Sequence, residues 1–219
     1  MQLAARYVAA ENRLIGGDWY DAFTVPSGQL WLVVGDVAGH GLKAAVVMGR
    51  VKSALRAYAL CCDTPHEALA RTDRKIQHFE VGTMITVVCA VSSPPYDHFE
   101  ISSAGHPPPV IAHPGEPAEF VPVALAPPLG ALPDVERTAT SVHMPERATL
   151  LLYTDGLVEK HDQPIDGGLR KLRTAVHADD PATVCQQVMH ALVGNREPLD
   201  DIAVLAVRRT VASTSGTTR

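Results

Sequence analysis

The 219-residue chain holds only four cysteines, Cys61, Cys62, Cys89 and Cys185, and no Cys-x-x-Cys pair. Two are adjacent, a poor arrangement for a zinc knuckle or a disulfide framework. Cys89 and Cys185 lie in apolar segments and read as small core residues. None stands in a Cys-x5-Arg loop, so a phosphocysteine mechanism has no support. A Gly-x-x-x-x-Gly-Lys-Ser/Thr loop is also missing, which removes the phosphate cradle of nucleoside triphosphatases. The formal charge is −5 and the basic residues are scattered, which argues against a nucleic-acid partner. No apolar stretch approaches membrane-spanning length and the first residues lack a signal-peptide core. The expectation is a cytoplasmic protein without a membrane partner, monomeric or weakly dimeric.

What is present is 46% apolar residues, enough for one sizeable core. A single domain is expected over residues 1–209, followed by a small, polar, disordered tail over 210–219. Strands are expected over 2–10 and 18–24, around a turn at 12–17. A continuous apolar run over 29–35, too short for a helix, reads as a buried strand. Helices are expected over 42–60, with Val47, Val51, Leu55 and Tyr58 on one face, and over 65–79, opened by Pro65. Further strands are expected over 83–91, 98–103, 110–112, 119–121, 148–154 and 202–208, and a helix over 181–193. Prolines crowd the stretch between Gly105 and Pro133, which leaves room only for short edge strands. Consecutive strands joined by short turns imply antiparallel sheets.

Against this background four aspartates stand out: Asp18, Asp36, Asp155 and Asp200. Each ends an apolar run and lies beside glycine or another acid, which delivers a carboxylate to the rim of a sheet. Carboxylates gathered there repel one another unless a cation sits between them. An oxygen-rich site of this kind suits Mg²⁺ or Mn²⁺. Any one of the four also reads as an ordinary helix cap or turn residue.

The motifs around these acids are Gly16-Gly17-Asp18-Trp19-Tyr20-Asp21, Gly35-Asp36-Val37-Ala38-Gly39-His40-Gly41, Ser103-Ala104-Gly105-His106-Pro107-Pro108, Pro128-Leu129-Gly130, Tyr153-Thr154-Asp155-Gly156 and Leu199-Asp200-Asp201-Ile202. In this order they resemble the metal-dependent serine/threonine phosphatases of the protein phosphatase 2C (PPM) superfamily, and its bacterial SpoIIE/RsbU-type branch in particular. The resemblance implies an α+β fold, a four-layer αββα sandwich of two mainly antiparallel sheets. It also implies two Mn²⁺ or Mg²⁺ ions that activate a water for attack on a phosphoserine or phosphothreonine. Asp36 matches the acid that bridges both ions, and the Val37 carbonyl an adjacent backbone ligand. Asp18, Asp155 and Asp200 match the remaining catalytic acids, while Asp201 and Asp21 rank lower, as residues acting through water. The implied partner is a phosphorylated anti-sigma-factor antagonist with a STAS domain, and a sensor domain often precedes the catalytic one. A phosphoprotein-binding pseudophosphatase and a small-molecule phosphohydrolase are the competing readings.

His40 reads as loop packing or as a catalytic group, and His106 as a turn residue bonded to nearby backbone. One of Trp19 and Tyr20 is expected to face the core and the other the cleft. Ala203 departs from the family's usual Asp-Asp-Ile-Thr, removing a hydroxyl expected to support the Asp200 loop. Residues 92–95 read as an unusual turn. The two helices begin at the Asp36 turn and are expected to couple partner binding to metal affinity through Ala44, Val47 and Val51.

Overall fold

The computed structural model describes residues 1–10, 16–159 and 164–210. The first sheet runs in the order β1 (Gln2–Val8), β10 (Ile202–Arg208), β9 (Thr149–Tyr153), β6 (Val110–Ala112) and β7 (Glu119–Phe120). The second runs β2 (Trp19–Thr24), β3 (Leu30–Val37), β4 (Ile85–Ser92), β5 (His98–Ala104) and β8 (Thr140–His143). Neighbours are antiparallel in both sheets. Helices α1 (Leu42–Tyr58) and α2 (Pro65–Phe79) cover the second sheet, and α3 (Ile165–Ala175) and α4 (Pro181–Leu192) cover the first.

The period-2 alternation of side chains assigns each buried strand to two apolar layers. On β3, Leu30, Leu32 and Val34 face the other sheet, whereas Trp31, Val33 and Val37 face α1 and α2. On β10, Ala203, Leu205 and Val207 face the other sheet, and Ile202, Val204 and Ala206 face α3 and α4. Both strands therefore read as unbroken apolar runs, because neither has a face in water. Three apolar layers between four structural layers make the expected αββα sandwich.

The described elements follow the expected order, with three additions: β8, α3 and a single 3-10 turn at Asp155–Leu157. Ala44, Val47, Val51 and Leu55 are buried against the second sheet, with Tyr58 half-buried beside them. The turn between β4 and β5 carries a cis Pro94–Pro95 bond and Tyr96 at φ 61°, with the Tyr96 hydroxyl donating to the Gly28 carbonyl. The proline-rich stretch is tied to α2 by a buried ion pair between Arg137 and Asp73, whose other carboxylate oxygen accepts from the Gly130 amide at 2.8 Å. Part of the expected turn (residues 12–15) and nearly all of the expected tail (211–219) lie outside the described residues.

Candidate metal centre

Gly16 and Gly17 cross from one sheet to the other. A Cβ on Gly16 would stand 1.8 Å from Asp201 Oδ2 and 2.7 Å from the Tyr7 hydroxyl, both on the first sheet's side. A Cβ on Gly17 would stand 2.4 Å from the Val37 carbonyl and 3.0 Å from Asp36 Oδ1, at the end of β3. Only glycine fits either place, and the crossing sets Asp18 between the sheets. Asp18 is 5% exposed, and its carboxyl reaches Thr154 at the end of β9 and Asp36 at the end of β3.

The opposing face comes from the ends of β9 and β10. The Thr154 amide donates to the Ala203 carbonyl at 3.0 Å, and the Ala203 amide donates to Thr154 Oγ1 at 2.8 Å. Thr154 thus supplies, from the neighbouring strand, a hydroxyl beside Ala203. Just beyond this clasp, a Cβ on Gly156 would stand 2.2 Å from the Asp201 carbonyl and 3.4 Å from Asp200 Cβ. Glycine therefore lets the Asp155 turn lie directly on the Asp200 turn. Asp155 is half-buried, and Asp200 is exposed with its Oδ1 accepting from the Asp201 amide at 2.9 Å.

The acids raise one another's proton affinity. Burial, then the adjoining Asp36 carboxylate, holds the Asp18 carboxyl well above the usual carboxylate range. Asp36 is raised too, by burial and by the charges of Asp155 and Asp200, although a hydrogen bond from Asp18 lowers it in part. Asp155 is raised by burial and by Asp200. The phenol of Tyr7, raised to about 12 by burial and then by Asp201, Asp18, Asp200 and Asp36, overlooks the same cluster.

This donor set fits a hard cation. Asp18 Oδ2 is buried without a hydrogen-bond partner, and the Val37 carbonyl points at Gly17, where hydrogen alone leaves room beside it. Carboxyls that raise one another's proton affinity mark a place where positive charge is favoured. Among the described residues, no three His, Cys, Asp or Glu side chains form a closed ligand set as they stand. The acids converge on a common mouth, and a divalent ion there would offset the repulsion that raises their proton affinities.

Other expected site residues have different occupations. Asp21 points away from the mouth, to α1, where Arg56 holds both its oxygens at 2.7 Å; its expected role through water is corrected to an ion pair between β2 and α1. Asp201 is 2% exposed and its Oδ1 accepts from the Ala10 amide at 2.9 Å, so its carboxylate ties down the chain after β1. Trp19 is buried against Gly35, and Tyr20 is exposed. His40 is exposed, between Gly39 and Gly41, both at positive φ.

His106 joins the two sheets beneath the acids. Its Nε2 lies 3.0 Å from the Tyr153 carbonyl, which can only accept, so that nitrogen carries the proton. Its Nδ1 therefore accepts from the Thr86 hydroxyl at 2.9 Å. Thr86 stands opposite Asp36 in the β3–β4 ladder, and Tyr153 lies two residues before Asp155. Full burial lowers the imidazole to about 4, keeping it neutral in this bridge.

The sequence profile of the Stage II sporulation protein E (SpoIIE) family matches residues 26–210. The phosphoserine phosphatase RsbP of Bacillus subtilis is 23% identical over 164 residues, which cover 73% of this chain and 40% of RsbP. The crystal structure of the RsbU and RsbW domains of Rv1364c from Mycobacterium tuberculosis superposes with a TM-score of 0.84 at 31% identity, covering 95% of this chain and 60% of that one. The PP2C phosphatase domain of the cell-fate determinant SpoIIE from Bacillus subtilis, solved with a fragment of its regulatory domain, gives a TM-score of 0.77 at 19% identity, over 94% of this chain and 62% of that one. The chain thus spans less than two thirds of the length of each of these relatives.

Proposed function

The chain belongs to the SpoIIE family, and from that membership and its acid cluster we propose that it is a metal-dependent phosphatase acting on phosphoserine or phosphothreonine in a regulatory protein. The observation that carries this reading is the convergence of Asp18 and Asp36 with Asp155 and Asp200 at one opening between the sheets, where each raises another's proton affinity. Asp18, Asp36, the Val37 carbonyl, Asp155 and Asp200 would hold two Mn²⁺ or Mg²⁺ ions, with Asp36 common to both. Ions so held supply an acidified water and draw charge off the phosphoryl oxygens.

The chain's own residues bind and align. Asp18 and Asp36, whose proton affinities are raised by burial and by their neighbours, would be deprotonated as ligands. Thr154 and the glycines at 17 and 156 keep the two sets of acids at one opening. His106, neutral and bonded to both sheets, fixes the spacing beneath them. The favoured substrate is a phosphorylated anti-sigma-factor antagonist of the STAS type. The test is phosphate release from such a protein, which should require Mn²⁺ or Mg²⁺ and cease with chelator. Release that survives exhaustive metal removal would end the two-metal reading.

A further inference from the structure

A groove of about 680 Å³ opens beside the acid cluster, with Asp155 as one of its walls. The Pro107 turn and Leu169 of α3 border it, and the far wall is the proline-rich segment after β7, including Val123 and Leu125. Among the described residues this lining is mainly apolar and contains no lysine or arginine; Glu159 adds a second acid near Asp155. Leu125 is 103% exposed, an isobutyl group held wholly in water at the rim. Residues 121–128 belong to no helix or strand, and among the described residues the amides of Ala124 and Leu125 donate to no backbone carbonyl.

These observations fit one kind of occupant. Asp155 belongs both to the acid cluster and to the groove, so the groove opens directly from the place where ions on the acids would hold a phosphate. A small phosphate ester would leave the groove empty and Leu125 in water. A polypeptide would cover apolar wall with apolar side chains and offer its carbonyls to the open amides of Ala124 and Leu125. Charged flanking residues are disfavoured there, because a mainly apolar wall takes water from them. Resting on the phosphatase reading above, we propose that the groove receives apolar residues adjoining the phosphorylated side chain of a protein substrate. It thereby selects phosphopolypeptides over small esters.

The experiment compares two substrates: a phosphoserine peptide with apolar flanking residues, and an aryl phosphate. Leu125→Asp and, separately, Ala124→Asp change exposed positions, and melting curves will verify that both variants fold. The expected result is at least a tenfold fall in kcat/KM for the peptide, mostly through KM, with the aryl phosphate within twofold of the parent. With the unaltered protein, replacing the peptide's apolar flanks by aspartate should produce a comparable fall. Unchanged peptide turnover in both variants would overturn the proposal. So would equal losses on the two substrates, or a parent protein that hydrolyses the aryl phosphate and ignores the peptide. Absence of metal-dependent turnover on either substrate would instead remove the phosphatase reading, and the groove's role with it.

Discussion

At the mouth between the sheets, a change of one atom separates two kinds of carboxylate. Asp36→Asn would preserve the shape of the β3 end but remove the charge that a shared cation needs. A loss of at least about a hundredfold in metal-dependent rate is expected, the scale of removing a major electrostatic stabiliser. Asp21→Asn should leave that rate within a few fold, because its carboxylate faces Arg56 rather than the mouth. Its cost belongs to stability, about 1 kcal/mol at most for a pair whose arginine is half-exposed. Initial rates over a Mn²⁺ titration, with a melting curve for each variant, check both outcomes; equal losses of rate would refute the division. Asp18, Asp36, Asp155 and Asp200 were legible in the sequence because an apolar strand ending in an acid beside small residues has few places to go. Asp21 was misread because it follows Asp18 on the same short run. The period of 2 along β2 turns it, with Trp19, toward α1. Tyr7 was missed altogether. Its place over the acids depends on β1 pairing with β10 from the far end of the chain, where Tyr7 stands opposite Ala203.

At the scale of elements, long amphipathic or doubly buried segments were readable and lightly apolar ones were not. Both α1 and α2 begin at their expected residues, since Gly41 and Pro65 mark the starts and a buried stripe follows. The sequence of α3 contains Gly167-Gly168 and alternates leucine with basic residues, a poor local helix signal. Its reason is tertiary: a Cβ on Gly168 would stand 2.0 Å from the Val158 carbonyl, so the glycine that weakens the helix also lets it pack. Strand β8 is a four-residue edge with none of its residues fully buried, and it shows too little pattern to stand out. Nothing local announces the link between α2 and the proline-rich stretch either, since Asp73 and Arg137 meet only in the fold. Asp73→Ala would leave Arg137, whose side chain is fully buried, without its counter-charge and the Gly130 amide without its acceptor. A loss of about 3 kcal/mol or more is expected in denaturant unfolding. A variant as stable as the parent would show that the arginine finds another partner.

For the molecule as a whole, two buried titrations with opposite signs meet between the sheets. In the metal-free protein the Asp18–Asp36 pair keeps its proton at pH values where the unfolded chain, with carboxyls near 3.8, has lost it. The folded state then binds more protons than the unfolded one, so this contribution to stability is present at low pH and lost as pH rises through the pair's raised pKa. His106 acts the other way. Held at about 4 in the fold against 6.5 in the unfolded chain, it makes stability rise between those two values and adds no slope above 6.5. The neutral to mildly alkaline range therefore isolates the acids. Raising the pH from 6.5 to 8 should lower the melting temperature of the metal-free protein, because the acids at the sheet ends become mutually repelling anions. An ion bound by these acids would offset the same repulsion, so Mn²⁺ should raise the melting temperature and do so more at pH 8 than at 6.5. At a hundredfold excess over its Kd, an ion bound only by the folded state adds about 2.7 kcal/mol, roughly 5–10 °C for a chain of this size. Asp36→Asn should shrink both the pH slope above 6.5 and the Mn²⁺ shift by more than half. Calorimetry across this range, with and without Mn²⁺, separates the terms. A melting temperature that is flat above pH 6.5 and unmoved by Mn²⁺ would mean that the four strand-end aspartates ionise independently and that their meeting place is not a cation site.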